Sequence, residues 1–316
     1  LPHERTLSGP KEDRYKLLRA TGANFSPVVG LYEDHGGGSS ATLAEIASRP
    51  PTIDLVDDDG VRHRLWVVPS DDGEGGPVAR LIAAAGAHPI TIADGHHRYE
   101  TALRYRDERR MSRSCEEDPP FDYLLMLFLE TTSEELTVLP THRVVRALGE
   151  AGLERLWRGL GELFSAERVT GAAELEAAFG AAGLTAGGLG RFGLWTRSGG
   201  AVLIARREAF EPWAPSGGAA LRRLDVTLLQ VALERLCGID PAAVAAGGRV
   251  VFTKSAAEAI GWVDGAVDGA DAAFLLEPTP VAEIAAVAGD GDVMPQKSTY
   301  FYPKPVTGLV INPHEW

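Results

Sequence analysis

Five consecutive residues, Asp94-Gly95-His96-His97-Arg98, combine the side chains that phosphate chemistry uses. The apolar run Pro89-Ile90-Thr91-Ile92-Ala93 precedes them and reads as a strand; a helical pattern through Leu103 follows. The turn therefore enters a helix. A helix start leaves its first N–H groups unpaired, and the helix dipole adds partial positive charge there. Imidazole and guanidinium donors at that point make a cradle for an anion, phosphate above all. Asp94 is either a helix cap or a Mg²⁺ ligand beside phosphate oxygens. Gly95 permits a backbone angle or a close approach that a side chain would block.

The ordinary alternative is a capping turn with satisfied polar side chains. Neighbouring helical side chains point about 100° apart, so capping alone would not use His96, His97 and Arg98 together. Zinc fits poorly, because helical metal ligands recur at i+3 or i+4, no Cys is close, and His88 is too far back.

Three further segments carry reactive side chains. Pro2-His3-Glu4-Arg5-Thr6 offers Glu4 as a general base for a hydroxyl, although the same string suits a surface turn entering a helix. Pro140-Thr141-His142-Arg143 places His142 and Arg143 after an apolar run, as a second anion-binding pair or a structural one. Met294 to Lys304 groups basic, hydroxyl and aromatic residues that could meet phosphate or carboxylate, or simply cover the body of the protein. The chain has no Gly-x-x-x-x-Gly-Lys-Ser/Thr loop, no Gly-x-Gly-x-x-Gly opening a helix and no Gly-x-Ser-x-Gly elbow.

The elements that must position these residues belong to a globular chain of 316 residues, enough for about two domains. Its 45% hydrophobic and 24% charged residues exclude disorder as the main state. A net charge of −13 disfavours nucleic acid as the main ligand but leaves room for a locally basic pocket. Two cysteines, Cys115 and Cys237, fit a reducing compartment, so a cytoplasmic location is expected. No apolar run is long enough to span a membrane, and the start shows no signal-peptide pattern and no initiator Met.

Helices are expected over 11–22, 77–86, 150–160, 171–179, 221–236, 255–262 and 281–287. Strands are expected at 28–32, 89–93, 123–129 (buried on both faces), 136–145, 191–196, 201–206, 250–253 and 272–276. A hairpin is expected over 54–68, and a Gly/Ser loop over 34–40. The alternation implies an α/β or α+β fold. A boundary near 135–150 divides it into residues 1–135, carrying the phosphate-binding turn, and an α+β domain over 136–316.

The strings at 2–6, 94–98, 139–143 and 294–302, in this order, resemble the bacterial family known as domain of unknown function 1015. The likeness covers essentially the whole chain. Members of that family extend further at the N-terminus, so this chain is expected to be shortened there. Asp94 to Arg98 is also similar, more distantly, to the signature of free-serine kinases of the ParB/sulfiredoxin-like superfamily. That likeness implies a ParB/sulfiredoxin-like N-terminal part with a mixed sheet. It implies ATP or ADP whose phosphates are held by Asp94, His96, His97 and Arg98; Gly95 of the turn and the anion-binding pair His142 and Arg143 complete the expected nucleotide-binding set. It also implies Mg²⁺ on Asp94, and Glu4 with His97 as catalytic groups. Glu4 lies further from Asp94 than the upstream base of the small kinases does.

The expected activity is nucleotide-dependent phosphoryl transfer to a small hydroxyl metabolite, L-serine being the first candidate. The alternatives are a ParB-like nucleotide switch with no acceptor, and a phosphatase or phosphoester-binding regulator. Expected partners are a small substrate and a nucleotide, with no membrane; the oligomeric state is left open.

Overall fold

The computed structural model describes residues 1, 8–58, 60–70, 73, 75–112, 117–131, 136–179 and 190–314, without the side chains of 8–10 and 112. In chain order the first half runs α1 (Ser8–Thr21), β1 (Ala23–Asn24), β2 (Val28–Tyr32), α2 (Gly38–Ala47), β3 (Ile53–Val56), β4 (Arg62–Leu65), α3 (Pro77–Ala85), β5 (Thr91–Asp94), α4 (His96–Ser112) and β6 (Met126–Glu130). The second half runs β7 (Thr137–Leu139), β8 (His142–Arg146), α5 (Gly149–Leu163), β9 (Phe164–Val169), α6 (Ala172–Phe179), β10 (Arg191–Thr196), β11 (Gly199–Ala205), α7 (Arg207–Phe210), α8 (Ala219–Arg223) and α9 (Asp225–Cys237). It ends with α10 (Pro241–Ala246), β12 (Val250–Thr253), α11 (Ala256–Asp264), β13 (Ala270–Leu276), α12 (Val281–Gly289), β14 (Tyr300–Tyr302) and β15 (Asn312–Pro313). The fold is α+β, with several separate sheets.

The main core lies in the second half. Six strands in the order β12-β8-β13-β10-β11-β9 form an antiparallel sheet. Every residue of β13 is buried, because both faces of the sheet are covered. Ala272, Phe274 and Leu276 join the apolar cluster that includes Leu156 and Leu160 of α5 and Leu229 and Leu233 of α9. Ala273 and Leu275 point the other way, into the cluster of Leu175 and Phe179 of α6 and Ile260 and Val263 of α11. The period-2 alternation of a strand thus feeds two helical layers at once.

The first half is built on a smaller sheet, β5-β2-β6, in which β2 is antiparallel to β5 and parallel to β6. The mixed sheet expected for this part is therefore present. The tail returns to the first half through β15 against β1, and to β7 through β14. Among the described residues no helix is long and apolar enough to cross a membrane. Cys237 is buried, and burial pushes its thiol up to about 12; Cys115 lies outside the described residues.

The structure adds elements that were not expected, among them β9, α10 and β14, and differs from the expected ones in several places. The 123–129 run is a strand only from Met126, and it is not buried on both faces: Leu127 is 37% and Phe128 41% exposed. It is an edge strand, paired to β2 alone among the described residues. The 136–145 run is two strands, because Pro140 has no N–H for a ladder and the chain changes sheets there, β7 joining β14 and β8 joining β12 and β13. The 221–236 helix is broken at Leu224, whose ψ of 138° is extended while its side chain stays fully buried. Helix α2 starts inside the Gly/Ser segment, at Gly38, where the Asp34 carboxylate accepts hydrogen bonds from the N–H and hydroxyl of Ser39, both at 2.6 Å.

The break at Leu224 leaves Asp225 buried at the start of α9. Burial pushes its carboxyl up to about 7, against the N–H of Gly190, which donates to Oδ1. The folded state therefore holds this proton more tightly than the unfolded chain, whose carboxyl has the ordinary value near 4. The stabilisation is complete below about pH 4 and is lost as the pH rises through 7, by about 4 kcal/mol at most. Asp225→Asn should gain stability over the wild type progressively from pH 4 to 7 and then level off, in urea unfolding followed at each pH. Other titrating groups are common to both proteins and cancel. A difference that does not change with pH would show that this carboxyl does not carry the perturbation.

Candidate functional site

The Asp94–Arg98 turn sits where β5 hands over to α4. Gly95 has φ +90°, a left-handed angle that other residues adopt at a cost. The helix opens at once, with Tyr99 N–H bonded to Gly95 C=O at 2.9 Å. Arg98 folds back over the turn, so that a Cβ on residue 95 would stand 2.8 Å from its guanidinium. Its Nη2 donates to Asp94 Oδ2 at 2.8 Å. The other carboxylate oxygen, Oδ1, faces the ammonium of Lys304 at 3.1 Å.

Helix α1 adds two more cations. Its Tyr15 and Leu18 form a small apolar cluster with Tyr105 of α4 and Phe121. Lys11 and Arg14 lie four residues before these two, so they share the face turned to α4. Lys11 pairs with Glu100 at 2.9 Å, Glu12 with Arg104 at 3.0 Å, and the Tyr15 hydroxyl with Glu108. Partner numbers rise together, so the helices run parallel and their N-terminal ends lie side by side. The positive charges of Lys11, Arg14 and Lys297 all act on His97, and Arg14 acts on Arg98.

The tail and β12 complete the cluster. The ring of Tyr300 carries Lys254 at 3.7 Å and Lys304 at 4.5 Å. Lys297 has φ +57°, a left-handed angle, and its carbonyl accepts from Arg143 Nη2 at 3.2 Å. Cations from α1, α4 and the tail thus converge on one helix start, with Lys254, just past β12, joined to them through the Tyr300 ring, although the whole chain carries −13. Such an arrangement can neutralise a polyanion with several negative oxygens.

The individual sequence candidates fare differently. Asp94, Gly95, His97 and Arg98 are half-buried at the turn. His96 is buried, and burial pushes its imidazole down to about 4. It is neutral at pH 7 and supplies no positive charge to the turn. His97 is held below its ordinary value, by burial first and by Lys11, Lys297 and Arg14 next, with Glu100 opposing.

His142 is fully buried within β8, and burial, with the Arg143 charge, pushes it down to about 4. Its Nδ1 accepts the N–H of Leu276 at 3.1 Å, which fixes the tautomer with the proton on Nε2. His142 is thus a neutral member of the six-stranded sheet, not a cation of the turn. Arg143 is also buried; it bonds the carbonyls of Thr141 and Lys297 and so positions Lys297. Glu4 lies outside the described residues.

Lys11, Arg14 and Lys254 were not picked out as site residues from the sequence. The signal for the first two was their i+4 spacing to Tyr15 and Leu18; Lys254 had none. For Mg²⁺ the fit is poor in this arrangement: both oxygens of Asp94 already face cations, and no group of three or more His, Cys, Asp or Glu among the described residues could hold a metal ion.

Gly95→Ala should cost about 1–2 kcal/mol, the strain of a left-handed angle at a non-glycine residue. Denaturant unfolding measures this directly. An unchanged midpoint would mean that the turn does not require the positive φ.

Comparison with solved structures found a conserved hypothetical protein from Pyrococcus furiosus, 14% identical, TM-score 0.43, with 97% of this chain and 88% of that one covered. A free serine kinase in complex with AMP is 14% identical, TM-score 0.44, with 99% and 85% covered. SbnI with a C-terminal truncation from Staphylococcus aureus is 12% identical, TM-score 0.46, with 98% and 81% covered. Identities and scores this low leave function to be argued from the site itself. A search of curated proteins found no match. A family model matches residues 1–227, most of the chain, and on that match the protein belongs to the family described as "Protein of unknown function (DUF1015)".

Proposed function

We propose that the protein binds a nucleotide by its phosphates at the Asp94–Arg98 turn and transfers a phosphoryl group to a small hydroxyl compound, L-serine being the first to test. The observation that carries this reading is the convergence of Lys11, Arg14, Arg98, Lys254, Lys297 and Lys304 on one helix start. Phosphoryl transfer asks mainly for positioning and for stabilisation of charge on the transferring group. A cluster of fixed cations beside two helix N-termini supplies both.

In the proposed reaction the acceptor hydroxyl oxygen bonds to phosphorus and the bond to the departing nucleotide oxygen breaks. The hydroxyl proton passes to a base. Glu4 is the base that the family resemblance implies, and described residues on either side of it flank the turn: Leu1 C=O accepts from Ile92 N–H at 2.9 Å, and Lys11 meets Glu100. Arg98 binds the phosphates, drawn partly away from Asp94 by the stronger charge of the ligand. His97 takes up a proton as the anion arrives, because added negative charge raises its affinity for one. ATP and ADP are both proposed donors.

The test is incubation with ATP or ADP, Mg²⁺ and each amino acid, read by ³¹P NMR for a phosphomonoester. Phosphoserine should form, and Arg98→Ala should lower kcat/KM by about 100-fold or more. Absence of any phosphoamino acid together with absence of a nucleotide-dependent thermal shift contradicts the proposal. Release of inorganic phosphate from a phosphoester without nucleotide would point to a phosphatase, and slow nucleotide hydrolysis without acceptor to a switch.

A further inference from the structure

A cavity of about 610 Å³ lies in the second half, between α9, α10, β12 and the segment 293–296. Its walls are mostly apolar, with Val250, Phe252 and Met294 among them, and its polar side chains include Gln230 and Arg143. The size and the few polar groups in an apolar lining are those of a small-molecule site.

Two chain segments run from this cavity straight into the cation cluster. Phe252 lines the cavity, and Lys254, stacked on Tyr300, is two residues on, at most about 7 Å between Cα atoms. Gln296 lines the cavity, and the next residue, Lys297, acts on His97. Arg143 belongs to both places: it lines the cavity and holds the Lys297 carbonyl. An apolar chamber with hydrogen-bonding groups thus adjoins a polyanion cradle.

We infer that this cavity holds the base and sugar of the nucleotide whose phosphates the cluster binds. The inference rests on the phosphate reading of the Asp94–Arg98 turn and adds the part of the ligand that distinguishes a nucleotide from bare phosphate.

The experiment is calorimetric titration of the whole chain with pyrophosphate and with ADP. ADP should bind at least about tenfold tighter than pyrophosphate, about one good hydrogen bond's worth. Ala245→Trp, at an exposed position on the cavity wall, should fill the chamber and remove the advantage of ADP without touching the cluster. Equal affinities for ADP and pyrophosphate overturn the inference while leaving the phosphate reading intact. ADP bound and weakened by Ala245→Trp, with no pyrophosphate binding, supports the cavity and counts against the cluster. Binding of neither overturns both.

Discussion

The carboxylate of Asp94 is held between two cations that reach it from different parts of the chain. Arg98 comes from one helical turn further on, at 2.8 Å, and Lys304 from the tail, at 3.1 Å. Each pair is about one-third exposed, so neither is strong alone. Their importance is geometric. Asp94 fixes the guanidinium against the backbone of Gly95 and brings the tail across the helix start, and with it Tyr300 and the lysines stacked on it. Without that carboxylate Arg98 and Lys304 would repel each other, and both would lose the group that holds them beside the turn.

Charge is distributed on this chain with a purpose that net charge conceals. A total of −13 keeps the body acidic, while the turn concentrates lysine and arginine. An acidic body around a basic pocket repels long polyanions and admits a small one, whose phosphates can be engulfed. The histidines divide the labour differently from what their adjacency implies. His96 and His142, both pushed down to about 4 by burial, are neutral structural members. His97, half-buried and surrounded by cations, is the one whose protonation an arriving anion would change.

The strand-turn-helix around Asp94 could be read from the sequence, because an apolar β run, a glycine and a polar helix start are local signals. Most helices and strands of the second half were readable for the same reason, though not β9, α10 or β14. Other features depend on what lies across the structure. Leu224 continues an apolar period through a break in the backbone, so periodicity could not show that α8 and α9 are separate. Leu127 and Phe128 look like core residues, yet their strand lies at an edge. Lys254 joins the site only because β12 and the tail meet at Tyr300. The charge states of His96 and His142 follow from burial that no spacing reveals.

The central claim is that the start of α4 and its gathered cations seat phosphate oxygens. Nitrogen-detected NMR of the imidazole rings tests it most directly, with pyrophosphate added at pH 7. The account predicts that the His97 nitrogens move toward their imidazolium positions in step with saturation, while those of His142, buried in the sheet, stay where they were. Saturable binding that leaves His97 unmoved would place the phosphate elsewhere and contradict it.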